Sequence, residues 1–116
     1  MNRDAHSHLP LTHLSFHILL AVAEQDLHGY AIVQAVEALS GGALTPGTGT
    51  FYSAIHRLQG DALLAEVNPP PDADRTDARR RYYRLTALGR RVLAAETERL
   101  AHLVLKARAV PTEVAG

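Results

Sequence analysis

Three consecutive prolines, Pro69–Pro71, most constrain what this chain can fold into. Proline has no backbone N–H and a fixed φ. Neither a helix nor a strand ladder therefore runs through Asn68-Pro69-Pro70-Pro71-Asp72-Ala73-Asp74, which reads as an extended, exposed loop. A short apolar run, Ala62-Leu63-Leu64-Ala65-Glu66-Val67, precedes it. An alternating run with two aromatics, Arg80-Arg81-Tyr82-Tyr83-Arg84-Leu85, follows. Both read as strands, so the region predicts a β-hairpin whose long tip loop carries Arg75 and Arg79.

Before Gly60 the apolar residues recur at helical rather than strand spacing. From about Leu11 to Gln25 the stripe is Leu14, Ile18, Ala21 and Val22, widened by Leu19 and Leu20. Asp26-Leu27-His28-Gly29 breaks it. A second helix from about Gly29 to Leu39 buries Ile32, Val33, Val36 and Leu39, and Ser40-Gly41-Gly42 ends it. Thr45-Pro46-Gly47-Thr48-Gly49 supplies turn and cap chemistry for a third helix with Phe51, Ala54, Ile55 and Leu58 on one face, ending near Gly60. After the hairpin, Thr86 is placed to cap a last helix over about Ala87–Ala109, which Pro111 closes. The division expected is a flexible, His-rich tail over 1–10, a DNA-binding domain over 11–85, a dimerisation helix over 86–110 and a tail over 111–116. Three helices, a hairpin and a final helix make a mainly α (α+β) fold, the winged helix-turn-helix arrangement, in which the third helix enters the major groove and the wing touches nearby backbone.

The outer face of the third helix carries Thr50, Tyr52, Ser53, His56 and Arg57 and no acid, a set able to reach base edges and phosphates without repelling them. Taken alone this stretch fits an ordinary amphipathic surface helix equally well; the order of elements, which puts the Arg cluster on a wing, favours the DNA-binding reading. Twelve basic and twelve acidic residues cancel overall, which argues against strong non-specific binding to nucleic acid. Seven of the twelve basic residues nevertheless lie between Arg75 and Arg91, with Asp77 the one acid among them. Arg75, Arg79 and Arg80 fall at the wing, where contacts to phosphate position a module without specifying sequence.

The chain has no Cys, which removes disulfides, thiolate metal sites and thiol catalysis and is compatible with a reducing, cytoplasmic setting. The most apolar segment, Leu14–Ala23, is too short to span a bilayer, so no membrane role is expected. Ser, His and Asp occur without a nucleophile elbow, a phosphate-cradling Gly-rich loop or an HExxH motif, so no enzyme and no cofactor is expected.

Three local motifs resemble one family. His28-Gly29-Tyr30-Ala31-Ile32 is similar to the HGYxI that opens the second helix of PadR-type transcriptional regulators. Gly49-Thr50-Phe51-Tyr52-Ser53-Ala54-Ile55 resembles their GTLYPAL recognition-helix signature, with Ser53 where the family usually has Pro. Arg81-Tyr82-Tyr83-Arg84-Leu85-Thr86-Ala87-Leu88-Gly89-Arg90 resembles the R-x-Y-x-L-T-x-x-G-R that joins wing to last helix. The resemblance implies a dimeric repressor that binds palindromic operator DNA and is released by a small molecule or a stress signal. It places Thr50, Tyr52 and Ser53 against DNA, Tyr30 on the backbone, and Arg79 and its neighbours in the wing; Thr48, His56, Arg57, Arg75 and Arg80 complete the expected DNA-binding set. The single last helix is similar to that of the family's short subfamily.

That last helix is expected to dimerise. Leu93, Leu100 and Ala107 are seven apart, with Leu103 and Val104 extending the seam and Leu14 and Ile18 of the first helix adding apolar surface. Some short-subfamily members sandwich flat ligands between tryptophans; this chain has no Trp, which leaves Phe16 and His17 as candidate contacts for an inducer. Two other readings stay open. The pairs His6/His8 and His13/His17 have spacings that suit a metal-responsive regulator, although no third ligand completes a site. A winged helix can also serve protein contacts alone.

Overall fold

The structure, a computed structural model, describes residues 3–113. The element order is α1 (Arg3–His6), α2 (His13–Ala21), β1 (Leu27–His28), α3 (Gly29–Leu39), α4 (Thr48–Gly60), β2 (Leu64–Val67), β3 (Tyr82–Leu85) and α5 (Ala87–Arg108). A single 3-10 turn, Asp77–Arg79, lies in the loop between β2 and β3. The strands form one antiparallel sheet in the order β1-β3-β2. Leu64 pairs with Leu85 and Val67 with Tyr82, so β2 and β3 are the arms of the wing.

One core joins the helices to the sheet. Ile18, Leu19 and Val22 meet Ile32 and Val36 of α3, and Phe51, Ala54, Ile55 and Leu58 of α4 close over them. Leu63, Leu64, Tyr83, Leu85 and Val92 seal the wing onto this cluster. Each large side chain buried there contributes about 1.5–3 kcal/mol of transfer free energy. The stripe Phe51, Ala54, Ile55, Leu58 is therefore the anchor that turns the opposite face of α4 outward.

Local chemistry fixes the element ends. Thr12 Oγ1 accepts from Ser15 N–H at 3.0 Å and starts α2. Thr86 Oγ1 accepts from Gly89 N–H at 2.9 Å and donates to Ala62 O at 2.6 Å, so one hydroxyl both caps α5 and ties it to the start of β2. Asp26 receives two parallel bonds from Arg84, at 3.1 and 2.8 Å, which hold the turn before β1 against β3.

Several expectations are corrected. The first ten residues were expected to be a flexible tail; instead α1 packs against α5, and Ala5 is only 1% exposed within the core. Leu9 and Leu11 also pack on the core and Leu11 N–H donates to Glu96 of α5, so several contacts seat this segment. Residues 1–2 and 114–116 of the two expected tails lie outside the described residues. Leu27–His28, taken as a helix break, also pair with Tyr83 and Tyr82 as a third strand. Tyr82 and Tyr83 point to opposite faces of the sheet and both are buried, Tyr83 in the core and Tyr82 edge-on to the His28 ring. The third helix begins at Thr48, so Thr48 and Gly49 belong to its first turn. Ile18 and Leu93, assigned to a dimer face, lie in the protomer's own core, since α2 and the first half of α5 pack on each other. Neither is available to a second chain.

Candidate nucleic-acid interface

On α4, the residues Thr48, Thr50, Tyr52, Ser53, His56 and Arg57 are all exposed, while the intervening apolar positions are buried. Tyr52, Ser53, His56, Arg57 and Gly49 line one shallow, open surface along the helix. Tyr52 is 48% exposed, with its ring edge-on to buried Phe51 at 5.0 Å between centroids. The phenol is thus held at its base by Phe51, and its tip lies across Gly29 of α3. Gly47 is the N-cap of α4 and supplies no side-chain acceptor, so the first-turn N–H groups point outward without a capping partner from a side chain.

Beside α4 is a cleft of about 390 Å³ lined by Gly29, Tyr30, Tyr52, Arg80, Arg81 and Tyr83. It is where the start of α3, the outer face of α4 and the root of the wing converge. Tyr30 is 59% exposed on its rim. Burial pushes the Tyr83 phenol up from its ordinary value, so it stays neutral at the base of the cleft. Arg75, Arg79 and Arg81 are exposed along the wing loop.

Arg80 differs from its neighbours. Its Nε lies 3.2 Å from Asp77 Oδ1, its Nη1 lies 3.4 Å from His28 Nδ1, and its guanidinium carbon sits 5.6 Å from the centre of the Tyr30 ring. Sequence spacing groups Arg80 with Arg75 and Arg79 as a phosphate contact; in the structure it is half-buried, pairs with Asp77 and lines the cleft. His28 Nδ1 accepts from Ala31 N–H at 3.1 Å and caps α3, a role that charge patterning does not reveal. The signal available was its position directly before the helix, where an acceptor side chain is needed.

The family model described as the transcriptional regulator PadR-like family matches residues 18–95. The chain belongs to the PadR-like family. It is 31% identical over 100 residues to the transcriptional regulator Rv3488 of Mycobacterium tuberculosis, covering 86% of this chain and 87% of that protein. It is also 36% identical over 99 residues to an uncharacterized 37.1 kDa protein in transposon TN4556 of Streptomyces fradiae. That match takes in 84% of this chain, but the chain spans only 26% of that longer protein. Among solved structures, a transcriptional regulator from Clostridium thermocellum superposes with a TM-score of 0.66 at 24% identity, covering 84% of this chain and 91% of the other. A PadR family transcription regulator from Clostridium difficile gives 0.66 at 21% identity, covering 85% and 100%. At these identities the two structures show a shared fold, the winged helix. The chain is a transcriptional regulator of the PadR-like family.

Within this PadR-like protein the remaining expected residues fall as follows. Leu14 and Leu100 are half-buried, while Leu103, Val104 and Ala107 are exposed on the part of α5 that extends beyond the domain. Leu105, at 68% exposure, and Val110 add apolar surface there that the heptad reading omitted. Phe16 and His17 are neighbours on α2 with their rings edge to face, 6.2 Å apart. His17 Nδ1 lies 2.6 Å from the backbone oxygen of His13, to which it can only donate, so one of its two nitrogens is already engaged. Among the described residues, no group of three or more His, Asp or Glu side chains is arranged to hold a metal ion. No helix among them is long and apolar enough to cross a membrane.

Proposed function

We propose that this regulator binds palindromic operator DNA as a homodimer and represses transcription until a small molecule releases it. The observation that carries the reading is the exposed, acid-free face of α4, together with the exposed Arg75 and Arg79 of the wing loop. In this reading α4 enters the major groove, where Tyr52, Ser53, His56 and Arg57 meet base edges. Thr48, Thr50 and the uncapped N–H groups of the first turn lie against phosphate, with Tyr30 beside them. Arg75 and Arg79 bind backbone from the wing, and Arg80 keeps the wing in place.

Dimerisation is supported by the free half of α5, where Leu103, Val104 and Leu105 stand open to solvent. A two-fold pair joined there sets two copies of α4 about 34 Å apart, one turn of DNA. That pairing supplies affinity which a module of zero net charge lacks singly. The inducer is assigned to the region of Phe16 and His17 on α2, between the domain and the paired α5 helices. Residence in the cytoplasm follows from this reading.

The experiment is fluorescence anisotropy with labelled duplex from upstream of the chain's own coding sequence, against a shuffled duplex, over a range of salt. Preference for the native duplex with two chains per site supports the proposal. Equal, weak binding to both duplexes counts against operator recognition at that site.

A further inference from the structure

We propose that His28 is the positioning residue that holds the wing against the helical face, and that it does so only while its imidazole is neutral. The geometry concentrates on one ring. His28 ends β1 and caps α3, and its ring stands edge-on to Tyr82 of β3, 5.4 Å between centroids. An amide N–H can only donate, so the 3.1 Å bond from Ala31 N–H requires an unprotonated Nδ1. The proton therefore sits on Nε2, which faces Asp77 Oδ1 at 3.8 Å. Arg80 Nη1 approaches the same Nδ1 at 3.4 Å, while its Nε holds Asp77 at 3.2 Å. The start of α3, the central strand and the turn at the wing tip thus meet through one neutral histidine.

A second proton on the ring would go to Nδ1, the atom at which two donors are already aimed. The Ala31 N–H would lose its acceptor, and a cation would face the Arg80 guanidinium. The charged and titratable groups around the ring are Asp77 and Asp74 of the wing loop, Arg80, and Tyr82, with Tyr30 of α3 beyond Arg80. The two carboxylates favour the imidazolium. Burial and Arg80 oppose it and prevail, holding the ring below its ordinary 6.5. A histidine whose folded value lies below its unfolded value stabilises the fold above pH 6.5. That contribution is lost as pH falls through the lowered value.

The consequence runs against simple electrostatics. Acidification adds positive charge to a protein and, by charge alone, tightens it on DNA. Here acid frees the wing and weakens binding, by about fivefold, the scale of one lost N-cap.

The first test uses the full chain without DNA. Hydrogen exchange of the wing amides over 76–82, corrected for intrinsic rates, is compared between about pH 7.5 and a pH on the acid side of the ring's lowered value. Wild type is expected to lose protection there on acidification. His28→Asn retains a capping acceptor that does not titrate, and its wing protection is expected to stay level. His28→Ala is expected to show the loosened wing at both pH values. The same series is then run as anisotropy with the upstream duplex, where wild type alone among the capped proteins weakens in acid. This second arm rests on the proposed DNA binding; the first does not. An unchanged wild-type wing, or an equal acid response in His28→Asn, overturns the inference. A normal wing response with no DNA binding at any pH supports it and sinks the operator reading instead.

Discussion

Tyr52 leans on Gly29 so closely that a Cβ on that glycine would stand 2.6 Å from the phenol oxygen. The missing side chain at the start of α3 is what lets the tyrosine of α4 lie across it. Tyr52 thereby lines the cleft beside Gly29 while the residue stays half exposed.

Gly29→Ala tests that relationship. The atom in the way is the far end of a rotatable side chain, so stability is expected to change by no more than about 1 kcal/mol. The phenol must swing aside, and affinity for the upstream duplex is expected to fall nonetheless. Urea denaturation and anisotropy on the same variant separate the two effects.

Gly89→Ala is expected to behave in the opposite manner. A Cβ there meets the Leu63 carbonyl oxygen at 2.2 Å and Leu85 Cδ1 at 2.7 Å, in the corner where β2, β3 and α5 are tied together. Backbone cannot rotate away, so a loss of about 3 kcal/mol is expected, read as a lowered denaturation midpoint. An unchanged midpoint would show that this corner opens without cost.

Glu96 is 1% exposed on α5, yet it is fully partnered: Oε2 accepts from Leu11 N–H at 2.8 Å and from Arg99 Nη2 at 3.0 Å. The Arg99 hydrogen bond, helped by Leu11, holds its carboxyl below the ordinary 4.5 against the effect of burial. Its folded value is thus the lower one, so its contribution is complete above about pH 4.5 and is lost as pH falls through the lowered value. Glu96→Ala leaves the Leu11 amide unpaired and is expected to cost about 1–3 kcal/mol at neutral pH. Glu96→Gln is expected to cost less and to flatten the acid limb of stability against pH, measured by chemical denaturation at several pH values. An acid limb identical to wild type would assign the loss to other groups.

Leu103→Glu addresses the free half of α5. The change places charge on an exposed apolar strip, so it is expected to leave the domain folded and shift sedimentation from dimer to monomer. A variant that still sediments as a dimer would move the interface elsewhere.

How much of this was readable beforehand follows from range. The stripe Phe51, Ala54, Ile55, Leu58 and the capping Thr86 are local signals, and both were legible because they act within a turn or two of helix. The proline run set the wing for the same reason. β1 has only two residues and exists because β3 is there to pair with it, so no local pattern announces it. A polar opening segment gave no hint that Ala5 would be buried, because what fixes it is α5, far along the chain. No local pattern marks Glu96 as buried; only the fold brings Leu11 N–H to it. The apolar seams of α2 and α5 showed that they would be covered, but not by what, and for Ile18 and Leu93 the cover is the protomer itself. Arg80 shows the same limit in the site, since its approach to His28 joins residues 52 apart in the chain and no local spacing announces it.

The central claim is that α4 reads sequence while the wing supplies position. Its most direct test is anisotropy with native and shuffled duplexes across salt for Arg57→Ala and Arg79→Ala. Arg57→Ala is expected to remove the preference for the native duplex, with loss concentrated there. Arg79→Ala is expected to weaken both duplexes alike and lower the salt slope by about one. Equal loss on both duplexes from both variants would contradict the division of roles between helix and wing.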